Sequence, residues 1–81
     1  MKLIDALKLR IKELQNESGW KQYKVSEEST VPQTTLVSIK RGRSKSTMHV
    51  RTIYRLCEGY DITLQEFFSS PLFDRDNLEL E

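Results

Sequence analysis

Apolar residues recur along much of the chain at the three- and four-residue spacing of amphipathic helices. The clearest stripe predicts a first helix that ends near Ser18-Gly19 and is formed by Ile4, Leu7, Ile11 and Leu14. Gly19 suits the left-handed position that follows many helix ends. A later stripe predicts a fourth helix over about 50–59 and is formed by Val50, Ile53, Leu56 and Cys57.

Two shorter helices are predicted between these stripes. One runs from about residue 21 to 29 with Val25 inward. The next begins at Pro32, because the fixed φ of proline suits a first helical turn and its missing N–H costs nothing there. This third helix covers about 32–41, and its core contacts are Leu36 and Ile39.

A fifth helix is predicted to start at a capping box, in which Thr63 and Glu66 satisfy each other's free backbone amides. It ends at Phe67-Phe68, and Trp20 and both phenylalanines are expected in the core. Five helices, short loops and no strand predict a compact all-α domain over 1–68. An acidic tail, 69–81, is expected to be solvated, although four apolar residues leave a dimer contact open: Leu72, Phe73, Leu78 and Leu80.

Composition narrows the class of protein. The chain has 81 residues, enough for one domain, and no apolar run long enough to span a membrane or serve as a secretory signal. The net charge of +1 conceals an asymmetry, because residues 1–60 carry a net +6 and residues 61–81 a net −5. Residues 40–55 hold six basic side chains and no acidic one, which indicates a surface that faces a polyanion.

Catalytic and metal chemistry finds little support in the sequence. One cysteine, Cys57, and one histidine, His49, cannot form an intramolecular disulfide or fill a four-coordinate zinc site. Cys57 lies in an apolar helical pattern and is expected in the core, and a lone thiol fits a reducing cytoplasm. No paired carboxylates or glycine-rich phosphate loop are visible, so we expect neither an enzyme nor a cofactor or metal.

The second and third helices, joined by a tight turn, fit a helix-turn-helix whose second helix enters the major groove of DNA. Short polar side chains lie on the face of the third helix opposite its core contacts. The Gln33 amide can pair bidentately with adenine, and Thr34 and Ser38 can bond to base edges. The cations after Gly42 would then lie beside the phosphates and position the helix.

The stretch QYKVSEESTVPQTTLVSIKRG, residues 22–42, resembles the helix-turn-helix of lambda-repressor-like transcriptional regulators of the Cro and phage-repressor type. The match extends from about Leu3 to Phe68 and includes the Gly19-Trp20 turn and the closing ITLQEFF. The resemblance implies a cytoplasmic, bacterial or phage-encoded regulator that binds a two-fold operator in double-stranded DNA as a homodimer. It implies base contacts from Gln33, Thr34 and Ser38, and backbone contacts from Gln22, Arg41, Arg43 and Lys45.

Three positions depart from the family's pattern. Thr30 stands where relatives have a turn glycine. A positive φ there would cost roughly 1–2 kcal/mol, so the turn is either strained or differently shaped. Ser26 replaces an alanine and is nearly as small. Lys40 replaces an acid that many relatives pair with an arginine matching Arg10, and we expect Lys40 to add to the charge that faces the DNA backbone.

An interaction protein is the alternative function. The acidic charge of residues 61–81 suits an antitoxin or adaptor that binds a partner protein through its tail.

Overall fold

The computed structural model describes residues 1–41 and 48–80 of the chain. Over these residues it contains no strand and five α-helices: α1 (Leu3–Ser18), α2 (Gln22–Ser29), α3 (Gln33–Arg41), α4 (Val50–Tyr60) and α5 (Leu64–Phe67). Two 3₁₀ turns follow, Pro71–Phe73 and Arg75–Asn77. The elements pack into a globule measuring 34 × 25 × 21 Å. The predicted all-α class with five helices is confirmed, and no helix in the described ranges has the length and apolarity to cross a bilayer.

The helix ends form where the sequence predicts them. Gly19 closes α1 in the left-handed conformation, at φ 69°, and its N–H donates to the carbonyl of Gln15 at 3.0 Å. The capping box of α5 is complete, because the Glu66 N–H donates to the Thr63 hydroxyl at 3.0 Å and the Thr63 N–H donates to the Glu66 carboxylate at 3.2 Å. These local bonds satisfy amides and carbonyls that helix ends otherwise leave without partners.

The core gathers the apolar stripes of all five helices. Leu56, Cys57 and Phe67 are fully buried at its centre. Two predicted core residues prove to be exposed: Val50 is 67% exposed and Phe68 is 41% exposed. Val50 is the first residue of α4, at the edge of its apolar stripe, whereas Phe68 follows α5 and packs edge-on against Phe67.

Helices α2 and α4 approach each other closely at Gly59. A β-carbon added there would lie 2.8 Å from Cα and 2.9 Å from the backbone nitrogen of Ser29. β-carbons in proteins do not approach other heavy atoms this closely, so the crossing as it stands requires glycine. The crossing brings the last residue of α2, just before the turn into α3, against the end of α4.

The segment after α5 is not simply a solvated tail. Phe73 packs against Phe67 and Phe68, with ring centroids 5.9 and 4.9 Å away. The N–H of Glu79 donates to the carbonyl of Met1 at 2.8 Å, which ties the segment to the start of α1. The prediction of a solvated tail is therefore wrong for Leu72, Phe73 and Leu78, which are half-buried. It holds for Leu80 and for the charged side chains of residues 74–79, which are exposed.

Arg10 finds a partner other than an acid on α3. Its Nε donates to the carbonyl of Phe67 at 2.8 Å, and its Nη2 donates to the carbonyl of Glu66 at 3.1 Å. These carbonyls end α5, where a helix carries partial negative charge that attracts a cation. The guanidinium thereby joins α1 to α5. Arg10 has its partners there, so it needs no acid at the position of Lys40.

Candidate nucleic-acid interface

The turn between α2 and α3 is fixed by two hydroxyl groups. Buried Ser29 donates to the carbonyl of Val25 at 2.5 Å and accepts from the N–H of Val31 at 3.2 Å. Ser26 donates to the carbonyl of Val31 at 2.6 Å. Thr30 adopts φ 60° and ψ 16°, so of the two alternatives for this turn the structure has the left-handed one, at a β-branched residue. The turn therefore holds α3 at a defined angle to α2, at the cost of strain in Thr30.

Helix α3 is anchored on one side and free on the other. Leu36 and Ile39 are buried at 4% and 6% exposure. The opposite side is exposed to solvent except for half-buried Val37, and its exposed residues are Gln33, Thr34, Ser38 and Arg41. The three residues predicted to contact bases therefore share one open face of one helix.

The polar groups on this face are available to a ligand. The Gln33 amide and the Thr34 hydroxyl form no hydrogen bond with residues 1–41 or 48–80. The Ser38 hydroxyl donates to the Thr34 carbonyl at 3.0 Å, which leaves its oxygen as an acceptor. Within the part of the chain that the structure describes, the face thus offers an amide that both donates and accepts, one hydroxyl without a partner and one hydroxyl oxygen.

The charge around this face is positive. Helix α3 contains no acid, and exposed Lys40 and Arg41 lie in its last turn, where the helix dipole favours cations. Arg43 and Lys45, predicted to contact phosphates, lie outside the described residues, as does Gly42. Gln22, the other predicted phosphate contact, is half-buried at the first position of α2.

The outer face of α2 differs in character. It carries exposed Glu27 and Glu28, and the Glu27 carboxylate raises the pKa of the Tyr23 hydroxyl by hydrogen bonding and charge repulsion. A carboxylate-bearing surface repels a polyanion, so α3 and not the outside of α2 is the side suited to one.

Three features escaped the sequence reasoning. The buried Ser29 bridge and the Gly59 contact depend on which helices pack together, although a serine four residues after inward Val25 was a weak signal. The third is a groove of about 550 Å³ between α1 and α3, into which Lys8, Lys12 and Lys40 project. Lys40 is thus shared between the edge of the α3 face and this groove.

No protein-family model matches the chain, and neither the curated proteins nor the solved structures give a significant match. The case for function therefore rests on the residues of α2 and α3 and on their geometry.

Proposed function

We propose that this chain is a sequence-specific, double-stranded DNA-binding transcriptional regulator of the lambda-repressor-like type. Helix α3 acts as the recognition helix of a helix-turn-helix and enters the major groove. The working form is a homodimer on a two-fold operator, with the cations of residues 40–45 on the backbone.

The observation that supports this proposal most directly is that α3 has one buried side and one exposed polar side. One side is locked into the core by Leu36 and Ile39. The other exposes uncharged polar side chains around half-buried Val37, and the exposed charges of the helix, Lys40 and Arg41, are confined to its end. A surface helix with no reading role would more often expose long charged side chains of both signs, since these solvate a surface at little cost. The short side chains leave the backbone of α3 free to approach base edges closely.

The mechanism follows from the placement of these groups. Gln33, at the start of α3, reaches a base edge with a group that donates and accepts at once, which matches adenine. Thr34 and Ser38 lie one and five positions further along the same helix and contact neighbouring bases or phosphates. The cations at the end of α3 displace condensed counterions from the phosphates, and this release supplies much of the affinity.

The test is selection of bound duplexes from a random pool, read for a consensus. The proposal expects a palindromic sequence whose half-sites are about 34 Å apart, one turn of the duplex. Enrichment of no sequence, or retention of single-stranded nucleic acid in preference to duplex, would contradict it.

The electrostatic part of the proposal is tested on the selected duplex. We expect Arg41→Ala and Arg43→Ala each to weaken binding to all sequences alike and to reduce the salt slope by about one unit. Lys2→Ala removes the same charge from the exposed residue before α1, outside α3 and outside residues 74–80, and serves as the control. If all three variants keep the salt slope of the wild type, the cations of residues 40–45 do not contact the DNA backbone.

The adaptor or antitoxin alternative needs a different experiment from deletion of residues 69–81. Deletion would uncover Phe67, because Phe73 packs on it. Replacing exposed Asp74 and Asp76 by asparagine leaves that packing intact. A partner protein that is captured by the wild type and lost from this variant would favour the alternative.

A further inference from the structure

The groove between α1 and α3, here called the lysine groove, combines positive charge with an apolar floor. Its cations are Lys8, Lys12 and Lys40, and its floor is formed by Leu9, Ile11 and Ile39. No carboxylate of the described residues lines it, and none of the three lysines forms an ion pair within residues 1–41 and 48–80. Such a site suits an apolar side chain that is flanked by carboxylates.

The segment 74–80, here called the acidic segment, has this chemistry. Asp74, Asp76 and Glu79 are exposed and outnumber the one exposed cation of the segment, Arg75. The Glu79 carboxylate lies 3.9 Å from the Met1 ammonium, so Asp74 and Asp76 are the carboxylates left for a partner. The side chain of Leu80 is fully exposed, with a relative exposure of 103%. The segment is also held in shape, because Asn77 donates to the carbonyl of Pro71 at 2.7 Å. The chain therefore carries both an acidic segment with an exposed leucine and a lysine groove of opposite charge.

A molecule cannot use its own acidic segment to fill its own groove. The segment packs beside Leu3, where a second hollow is lined by Leu78 and Leu80. Leu9, which lines the lysine groove, lies six residues after Leu3 on α1. It therefore lies about 120° around the helix axis from Leu3 and about 9 Å further along that axis. The backbone bond from Glu79 to Met1 fixes the segment at the Leu3 side.

We therefore propose that the lysine groove binds the acidic segment of a second copy of this chain. Reciprocal exchange, in which each copy gives its segment and receives its partner's, forms a closed two-fold dimer. The inference shares with the proposed function the need for a dimer and the use of Lys40. Its own basis is the opposite charge of Lys8 and Lys12 and of Asp74 and Asp76, together with the exposed Leu80.

The test uses two charge-reversed variants of the full chain, without DNA. Lys8→Glu/Lys12→Glu is the groove variant, and Asp74→Lys/Asp76→Lys is the segment variant. In a homodimer of either variant, both groove–segment contacts bring like charges together. Sedimentation at low salt should therefore show self-association weakened roughly tenfold or more. In an equimolar mixture, a dimer of one variant with the other has opposite charges at both contacts. The reversed groove of the first binds the reversed segment of the second, and the native groove of the second binds the native segment of the first. The mixture should therefore form a heterodimer that neither variant forms as a homodimer.

The controls separate this contact from folding and from general charge effects. Arg51→Glu/Arg55→Glu reverses two exposed cations of α4 outside the groove and should leave self-association unchanged. Circular dichroism should show equal helicity for all variants. Raising the salt from about 0.05 to about 0.5 M should dissociate the wild-type dimer, because screening shortens the reach of exposed charges.

Two results would overturn the inference. One is a wild type that stays monomeric at low salt, and the other is a mixture of the two variants that does not associate. If either occurs while the wild type still selects a consensus duplex, only the groove contact is wrong. If the heterodimer forms but no duplex is selected, the dimer contact stands and the DNA-binding proposal fails.

Discussion

Replacing Gly59 by alanine tests the packing that positions the α2–α3 turn. In an open helix this change stabilises by up to about 1 kcal/mol, because alanine has the higher helix propensity. Here the new β-carbon would lie 2.8 Å from Cα of Ser29. Overpacking of this kind costs roughly 1–3 kcal/mol, and a backbone atom cannot turn aside as a side chain can. Because Gly59 lies near the end of α4, the propensity gain is small, and we expect a net loss of about 1–2 kcal/mol.

Urea unfolding followed by far-ultraviolet circular dichroism measures this loss. For a domain of this size, the expected change lowers the midpoint of thermal unfolding by on the order of 10 °C. Glu58→Ala, at the exposed neighbouring position of α4, should change stability by less than about 0.5 kcal/mol. If Gly59→Ala proves as stable as the wild type or more so, α2 and α4 do not cross as closely as the structure has them.

Three further changes have definite expected results. Thr30→Gly should raise the free energy of unfolding by about 1 kcal/mol in urea titration, because it relieves the left-handed strain. Thr34→Gly, inside α3, should lower it by roughly 0.3–0.5 kcal/mol, because threonine is itself a poor helix former. Arg10→Met should cost about 2 kcal/mol through the lost bonds to the end of α5, whereas Lys12→Met on the same helix should cost little. Burial raises the pKa of the Cys57 thiol, so the unfolded thiol ionises first and stability should fall as the pH rises above about 8.5. Cys57→Ala should reduce this fall, and unfolding titrations at neutral and alkaline pH compare the two proteins.

Local chemistry made most of the helix ends predictable. Gly19 and the Thr63–Glu66 capping box act through atoms within a few residues of each other, so their sequence signatures suffice. At Thr30 the resemblance left two alternatives, a strained turn or a differently shaped one, and only the structure shows that φ is positive there.

Contacts between distant residues were less predictable. The docking of residues 69–80 depends on Phe73, whose apolar neighbours lack helical or strand spacing and so gave no periodic signal. Arg10 was expected to lack an acid on α3, but its actual partners are backbone carbonyls, which have no sequence signature. The lysine groove likewise joins Lys8 and Lys12 to Lys40 across two helices that only the fold brings together.

Reading of base edges by α3 is tested most directly by the base-pair preferences of Gln33→Ala. Affinities are measured for the selected duplex and for duplexes changed one base pair at a time. The account predicts that Gln33→Ala loses roughly 1–3 kcal/mol of discrimination at one position of each half-site and keeps the wild-type penalties elsewhere. Gln65→Ala, which removes an exposed glutamine from α5, should keep them all. A Gln33→Ala protein that discriminates at every position as the wild type does would contradict the assignment of α3 as the reading helix.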